Sequence, residues 1–395
     1  QGYGFGPVSK TVSIMKSIYT CQSEIDAIFY GERTALDFAS KNSDLFSTII
    51  DSTEHQIEEV LGTVQPKVVL SSMEPEPIVE AKSMDDPPFT ALVDSLFWYW
   101  RDGPPNESEA PNQTSKTSNN EALDFHELML NTHEISDISY IQSFPSERTN
   151  GLSPHTHNSI KKVGPIIDTN HKGDGPSRLI VSFAGMLSPI VSVDQATMYA
   201  NLILEELSDV FTEFDESGFR PLIVGNERVL SRIETTYETD FLGHDRYLEV
   251  LDSAPLLICP ASIMSVFEAT AYGVPVVLLP ELSPSHWPDY HGLNEGINGT
   301  PFDGAILGEE IEELQDIPEA ETDRLYDVLS AYRADQSAFD GAVDQIFRDV
   351  ENQLLDLLHE ENRTQLTESQ RRAIESRLPS PDGAQEVATD LLSHI

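Results

Sequence analysis

The sequence predicts an α/β protein with two domains, each a parallel sheet wound with helices, and three observations support this. The chain has 395 residues, enough for two domains of ordinary size. Short apolar runs alternate with helix-compatible stretches in both halves, as in βαβ units. The polar, glycine-rich segment Asp168–Ser177 interrupts this alternation, which restarts at Arg178. We therefore expect one domain over residues 1–168 and a second over residues 178–395.

The individual elements follow from apolar runs and from helix start and stop signals. In the first half the predicted strands are Ile25–Tyr30, Leu45–Ile50, Lys67–Ser72, the start of Phe89–Trp100, Ser139–Phe144 and Lys162–Ile167, and the predicted helices are Thr11–Tyr19, Ala35–Lys41 and His55–Leu61. In the second half the predicted strands are Arg178–Ala184 and Pro221–Val224, and the predicted helices are Asp194–Phe211, Glu309–Leu314, Leu325–Ala342, Gln345–Leu358 and Thr367–Leu378. The Pro/Ser/Asn-rich stretch Gly103–Glu121 is predicted to be a surface loop.

The composition is strongly acidic, with 67 Asp and Glu against 24 Lys and Arg and a formal net charge of −43. Disorder is one interpretation of such a charge, but the apolar strands can form a core. The acidic residues are spread along the whole chain, which is typical of proteins from a high-salt cytoplasm. We therefore expect a cytoplasmic protein of a salt-adapted organism. The lack of a basic patch disfavours a nucleic-acid partner.

Cys21 and Cys259 are the only cysteines, so the sequence contains neither a disulfide framework nor a cysteine zinc site. No run of eighteen apolar residues and no signal peptide is present, so we expect no transmembrane segment. The chain begins with Gln1 rather than methionine, and we expect residues upstream of it.

The most informative stretch is Leu256–Glu281, which reads as one βαβ unit. The uncharged run Leu256–Cys259 predicts a buried strand, and Ser262 stands where a helix N-cap belongs. Gly273 ends the predicted helix, and Val274–Leu279 predicts a second buried strand. The two strands are expected to pair in parallel.

The turn between the first strand and the helix of this unit contains the candidate ligand-binding residues. The first turn of a helix has unpaired N–H groups and the positive end of the helix dipole, so it binds anions such as a pyrophosphate. Ser262 and Ser265 add hydroxyl donors, and Glu268 could accept hydrogen bonds from a vicinal diol such as ribose. The alternative is that Ser262 only caps the helix and Glu268 is solvated.

The pattern Ser262-x-x-Ser265-x-x-Glu268-Ala269, followed by Gly273-x-Pro275 and Pro280, resembles the donor-nucleotide signature of GT-B glycosyltransferases. It is most similar to the branch that contains the N-acetylglucosaminyltransferase of peptidoglycan synthesis, although that family has glycine at the position of Ser262. The resemblance implies a GT-B fold, with two Rossmann-like domains and a cleft between them. It also implies metal-independent glycosyl transfer from a nucleotide sugar, expected to be a UDP-sugar, with no other cofactor and with the acceptor left open.

The resemblance implies further donor contacts. Gly185 and Ser188 match the phosphate loop at the start of the second domain, and His244 falls in the segment that lies against the donor base. Alternatively, His244 is a surface loop residue with no role in donor binding. The donor-sugar candidates follow Pro280 and are His286, Asp289, His291 and Asn294. Their irregular spacing does not suit metal ligation, and no metal site is expected.

In the first domain, Gly4 and Gly6 match the glycine loop that faces the cleft in this family, although the strand expected before it is absent from the sequence. Relatives carry a histidine general base in that loop, where this chain has Tyr3 and Phe5. The resemblance implies tail helices that cross back to this domain.

Glu74 and Asp94 follow predicted strands at the carboxyl edge, where doubly wound folds place active sites, and are the candidate catalytic residues. The alternatives are a loop residue for Glu74 and a helix N-cap for Asp94. Phe97 and Trp98 would face the acceptor, or lie in the core.

Within the GT-B class, Val93–Trp100 and Ile141–Pro145 are similar to cytosylglucuronate-synthase-related proteins. Two other functions stay open. A UDP-sugar 2-epimerase of the same fold would need further acid/base residues, and its glycine-rich turn before paired glutamates is not seen. A catalytically silent nucleotide-sugar-binding protein is compatible with the missing loop histidine.

Overall fold

The computed structural model describes residues 5–95 except 23, residue 97, residues 119–142, residues 160–283 except 185 and 189, residues 297, 299, 302, 318–335, and residues 341–395 except 379. The chain forms two compact units. The first contains Pro7–Asp168 and Arg377–Ile395, and the second contains Thr169–Ser376 together with the N-terminal Gly2–Gly6. Residues 377–395, which the predicted boundaries include in the second domain as a helical tail crossing back to the first, belong to the first unit.

The first unit contains two parallel sheets. Strands β1 (Ile28–Gly31) and β2 (Thr48–Asp51) form a pair, and β3 (Val68–Ser72), β4 (Phe89–Asp94), β5 (Ile138–Ile141) and β6 (Ile160–Lys162) form a four-stranded sheet in that order. The helices are α1 (Gly6–Cys21), α2 (Arg33–Lys41), α3 (Ile57–Val64), α4 (Glu76–Ser83) and α5 (Asn119–Ile135). Strand β4 lies inside this sheet, between β3 and β5, and five of its six residues are buried.

The second unit is built on one five-stranded parallel sheet. Its strands are β7 (Leu179–Phe183), β8 (Pro221–Gly225), β9 (Glu238–Asp240), β10 (Leu257–Pro260) and β11 (Val276–Leu279), arranged in the order β9-β8-β7-β10-β11. Every residue of β7, β8, β10 and β11 is buried, as expected for apolar strands covered on both faces. This strand order is that of a Rossmann-like domain.

Eight helices are described around this sheet. They are α6 (Val193–Glu206), α7 (Ser208–Glu216), α8 (Glu227–Leu230), α9 (His244–Asp252), α10 (Ile263–Ala271), α11 (Pro318–Ala334), α12 (Ala342–Asp356) and α13 (Glu360–Glu375). One large apolar core joins them to the sheet, with fully buried aromatic rings such as Phe183, Tyr199 and Phe211. Across the described part of the chain, none of the helices combines the length and apolar character that crossing a membrane requires.

The edge strand β11 is closed by a side chain. Gln370 of α13 is 1% exposed, and its amide accepts a hydrogen bond from Val276 N–H (2.9 Å) and donates one to Val276 C=O (2.7 Å). The backbone N–H and C=O of Val276 would otherwise be buried without partners, while Leu278 further along the strand forms an isolated bridge with Gly299. At Val276, Gln370 thus supplies the hydrogen bonds that another strand would supply.

The last helix, α14 (Gly383–Leu392), packs on the first unit. Lys161 pairs with Asp390 (2.8 Å), and the ring of His394 stacks on Phe89 with 3.6 Å between centroids. Gly383 N–H donates to Pro165 C=O (3.0 Å). A Cβ on Gly164 would stand 2.0 Å from Ser380 O, and one on Gly383 would stand 2.1 Å from Gly164 O. The two backbones therefore approach so closely that only glycine fits.

Several predicted elements differ from the observed ones. The strand predicted over Lys162–Ile167 is wrong, since β6 ends at Lys162. The helix predicted over Asp194–Phe211 is two helices, divided at Leu207. The helix predicted over Leu325–Ala342 ends at Ala334, and α12 begins at Ala342. Strand β9 was not predicted, because its three residues are polar and exposed and give no apolar signal.

Candidate active site

The candidate donor site lies at the carboxyl edge of the second sheet, where the strand order reverses. The first strand of the unit, β7, has β8 on one side and β10 on the other. Doubly wound sheets bind ligands at such a switch point, outside the carboxyl ends of the strands. The segments at this point are the loop after β7 and the turn between β10 and α10. The sequence predicts donor-binding residues in both.

Ser262 is the N-cap of α10, with extended backbone angles (φ −131°, ψ 110°). Ser265 N–H donates to Ser262 Oγ over 3.5 Å, and Ser265 Oγ donates to the same oxygen over 3.2 Å. A typical N–H···O hydrogen bond is shorter, about 2.9 Å. The side-chain cap therefore holds the first-turn amide only weakly, which leaves this helix terminus suited to an anion.

Glu268 and His244 form a buried pair. His244 Nε2 lies 2.8 Å from Glu268 Oε1, and the two side chains are 3% and 5% exposed. The interpretation of Glu268 as solvated is wrong, because α10 packs against α9 at this position. The interpretation of His244 as a surface loop residue is also wrong, since it is the first residue of α9 and its ring is buried.

Tyr247 follows one turn after His244 on α9 and extends this polar cluster. Burial raises the pKa of Tyr247 well above its ordinary value, and the Glu268 carboxylate and Cys259 raise it further. The Tyr247 hydroxyl is buried and has no hydrogen-bond partner among the described residues. Burial alone raises the pKa of the Cys259 thiol to about 12, so Cys259 is a buried thiol.

Of the two predicted residues in the loop after β7, Ser188 is described. Ser188 forms an isolated bridge with Val191, with the Val191 N–H donating to Ser188 O (3.2 Å). Its buried hydroxyl has no hydrogen-bond partner among the described residues. The remaining predicted donor residues lie outside the described residues, namely Gly185, His286, Asp289, His291 and Asn294.

Of the glycine-loop residues, Gly4 lies outside the described residues and Gly6 begins α1. A Cβ on Gly6 would stand 3.7 Å from Met264 Cγ, an ordinary contact, so glycine is not required there for space. The neighbouring Phe5 stacks on Phe241, with 6.0 Å between ring centroids. Phe241 lies two residues before the N-cap of α9, and no sequence pattern predicted this contact.

In the first unit, Asp94 is the last residue of β4 and is fully buried. Its Oδ2 lies 2.8 Å from Nε2 of His133, which is itself 3% exposed. The ring of Phe97 packs edge-on against His133 at 4.9 Å. Nδ1 of His133 is buried and has no hydrogen-bond partner in the part of the chain that the structure describes. His133 is a candidate that sequence reasoning missed.

Glu74 lies in the turn between β3 and α4, as its loop interpretation states, and its C=O accepts a hydrogen bond from Ser71 Oγ. The register that pairs β3 with β4 brings Glu74 and Asp94 to one sheet edge. Between the two strand ends, Met73 has a φ of 60°, in the left-handed region that favours glycine. Its N–H donates to Val93 C=O (2.9 Å), which holds this strained backbone in place.

The two parallel-sheet units and the switch-point site define a protein of the GT-B fold, and comparisons with solved structures agree. No protein-family model matches the sequence, and no curated protein matches it. The structural matches extend over nearly the whole chain and include GT-B glycosyltransferases.

Three of these solved structures illustrate the similarity. Os79 from O. sativa in complex with UDP is 12% identical, with 98% of this chain and 97% of that chain covered and a TM-score of 0.55. The co-structure of S. aureus MnaA with UDP is 11% identical, with 99% and 95% covered and a TM-score of 0.52. The glycosyltransferase VinC in complex with DTDP is 10% identical, with 98% and 97% covered and a TM-score of 0.51.

Proposed function

We propose that this protein transfers a glycosyl group from a nucleotide sugar, a UDP-sugar, to an acceptor. The observation that carries the proposal is the turn between β10 and α10. It stands at the topological switch point and presents a weakly capped helix terminus, two serine hydroxyls and a glutamate. Structures of this fold that hold UDP or DTDP support a nucleotide donor.

In this proposal the donor diphosphate docks against the first turn of α10. The N–H groups there, with the hydroxyls of Ser262, Ser265 and Ser188, would hold its oxygens. As the glycosidic bond breaks, negative charge grows on the leaving diphosphate, and these fixed donors stabilise it. The neutralising groups are thus helix N–H groups and hydroxyls rather than a metal ion. Glu268 would accept hydrogen bonds from the ribose.

On the acceptor side we assign the proton transfer to His133. Asp94 accepts the Nε2–H hydrogen bond, which fixes the tautomer with a lone pair on Nδ1. In this proposal Nδ1, which has no partner among the described residues, would take the proton of an acceptor hydroxyl. Asp94 is then a positioning residue, and His133 replaces the histidine that the N-terminal loop lacks.

The test is incubation of the protein with UDP-glucose and UDP-N-acetylglucosamine in molar KCl, followed by NMR of the products. Slow release of UDP with free sugar, water being the acceptor, supports the transferase. Formation of the C2 epimer would identify an epimerase instead, and UDP binding without turnover would identify a silent binding protein.

Two variants assign the residues. Glu268→Ala removes a carboxylate that bonds to hydroxyls, and we expect about a tenfold loss of UDP affinity, measured by calorimetry. Glu213→Ala, on the exposed face of α7, is the matched control and should bind like the parent. His133→Phe should keep UDP affinity and reduce turnover by about 100-fold. Unchanged affinity in Glu268→Ala would refute the donor site.

A further inference from the structure

The Glu268 carboxylate has one oxygen engaged and one available. His244 Nε2 holds Oε1 at 2.8 Å, whereas Oε2 makes no hydrogen bond to any residue that the structure describes. The Glu268 side chain is 5% exposed, and an ionised carboxylate oxygen accepts hydrogen bonds from any donor that reaches it. A pair of adjacent hydroxyls supplies donors of the required kind.

The surroundings of Glu268 fix the direction of the carboxylate. His244 is the first residue of α9 and directly follows the N-cap Gly243, so its backbone is fixed at the start of the helix. Tyr247 lies one turn further along the same helix. Because α9 and α10 are packed together, the bond to His244 determines which way the second oxygen can point.

We infer that His244 is a positioning residue for Glu268, holding Oε1 so that Oε2 meets the ribose hydroxyls of the donor nucleotide. The consequence is a preference for ribonucleoside diphosphates over their 2′-deoxy counterparts. This inference rests on the proposed function, and it decides between the two nucleotide classes, UDP and DTDP, that bind to structures of this fold.

The experiment compares the affinities of UDP and 2′-deoxy-UDP by calorimetry. The parent protein is expected to bind UDP about tenfold more tightly. His244→Phe should lose that preference by weakening UDP alone, because only the ribose contact depends on Glu268. His244→Gln, whose amide N–H can replace the Nε2–H donor, should recover most of the preference. In a Glu268→Ala background, His244→Phe should change neither affinity.

The outcomes separate this inference from the proposed function. If the parent binds neither nucleotide, the proposed function fails and this inference with it. If Glu268→Ala removes the preference but His244→Phe keeps it, only the positioning role is overturned. Equal weakening of both nucleotides in His244→Phe would show a structural role and also overturn it. Should His244→Phe not fold, His244→Asn, whose amide is too short to reach Oε1, provides the same comparison.

Discussion

Replacing Gln370 with alanine should destabilise the second unit by removing the side chain that closes β11. The amide of Gln370 satisfies both backbone groups of Val276, and the site is buried. Leaving a buried polar group without a partner costs about 1–3 kcal/mol, so losing both partners should cost about 3 kcal/mol or more. For a unit of this size the melting temperature should fall by about 6–12 °C.

The assay is hydrogen exchange at Val276 N–H, combined with thermal unfolding. An opening made easier by 3 kcal/mol should speed exchange at this amide by about 100-fold, since about 1.4 kcal/mol is a factor of ten. Gln370→Glu keeps the volume but has no N–H to donate to Val276 C=O. Gln370→Glu should therefore destabilise the unit as well. Because the volume is unchanged in this variant, its effect measures the lost hydrogen bond rather than lost packing.

The matched control is Gln365→Ala on the same helix. Gln365 is exposed and bonds only to Glu361 across 3.4 Å among the described residues, so its loss should change stability by less than about 0.5 kcal/mol. If the Gln365 and Gln370 variants unfold alike, with the same exchange at Val276, side-chain closure of the strand edge is refuted.

Three further predictions concern stability and reactivity. Gly164→Ala should detach α14 from the rest of the first unit, because the new Cβ would stand 2.0 Å from Ser380 O. The control Gly62→Ala, with open space around it in α3, should be neutral or stabilising by up to about 1 kcal/mol. Denaturant midpoints of unfolding compare the two variants. In the native protein a thiol reagent should label Cys21 and reach Cys259 only after unfolding. Burial raises the folded-state pKa of the Cys259 thiol to about 12, whereas the unfolded thiol has a pKa of about 8.5. The contribution of this thiol to the free energy of unfolding is therefore complete below a pH of about 8.5 and is lost as the pH rises towards about 12. In Cys259→Ala this pH dependence of stability should disappear.

The fold was predictable where hydrophobicity and breaker residues agree. Leu256–Glu281 is the best example, with strands and a helix within one or two residues of the prediction and Ser262 as the N-cap. The two buried strands of this unit carry no charged residues, and Pro, Ser and Gly mark its turns, so local sequence is sufficient there. The parallel pairing of β10 and β11 is confirmed.

The partners of the site residues were not predictable in the same way. Glu268 was selected from its place in the helix that begins after Ser262, and Asp94 from its position after a strand. The histidines that bond to them lie 24 and 39 residues away in sequence. Such contacts depend on how helices pack on the sheet, and periodicity carries no information about that. Strand β9 was missed for another reason, since pairing with β8 alone defines it.

The return of residues 377–395 to the first unit has a consequence for synthesis on the ribosome. The N-terminal unit lacks its last helix until the whole of the second has been translated. At about 5–20 residues per second, the roughly 200 intervening residues impose a delay of about 10–40 s. During that time the surface that receives α14, including Phe89 and Lys161, is open to chaperones and to other nascent chains.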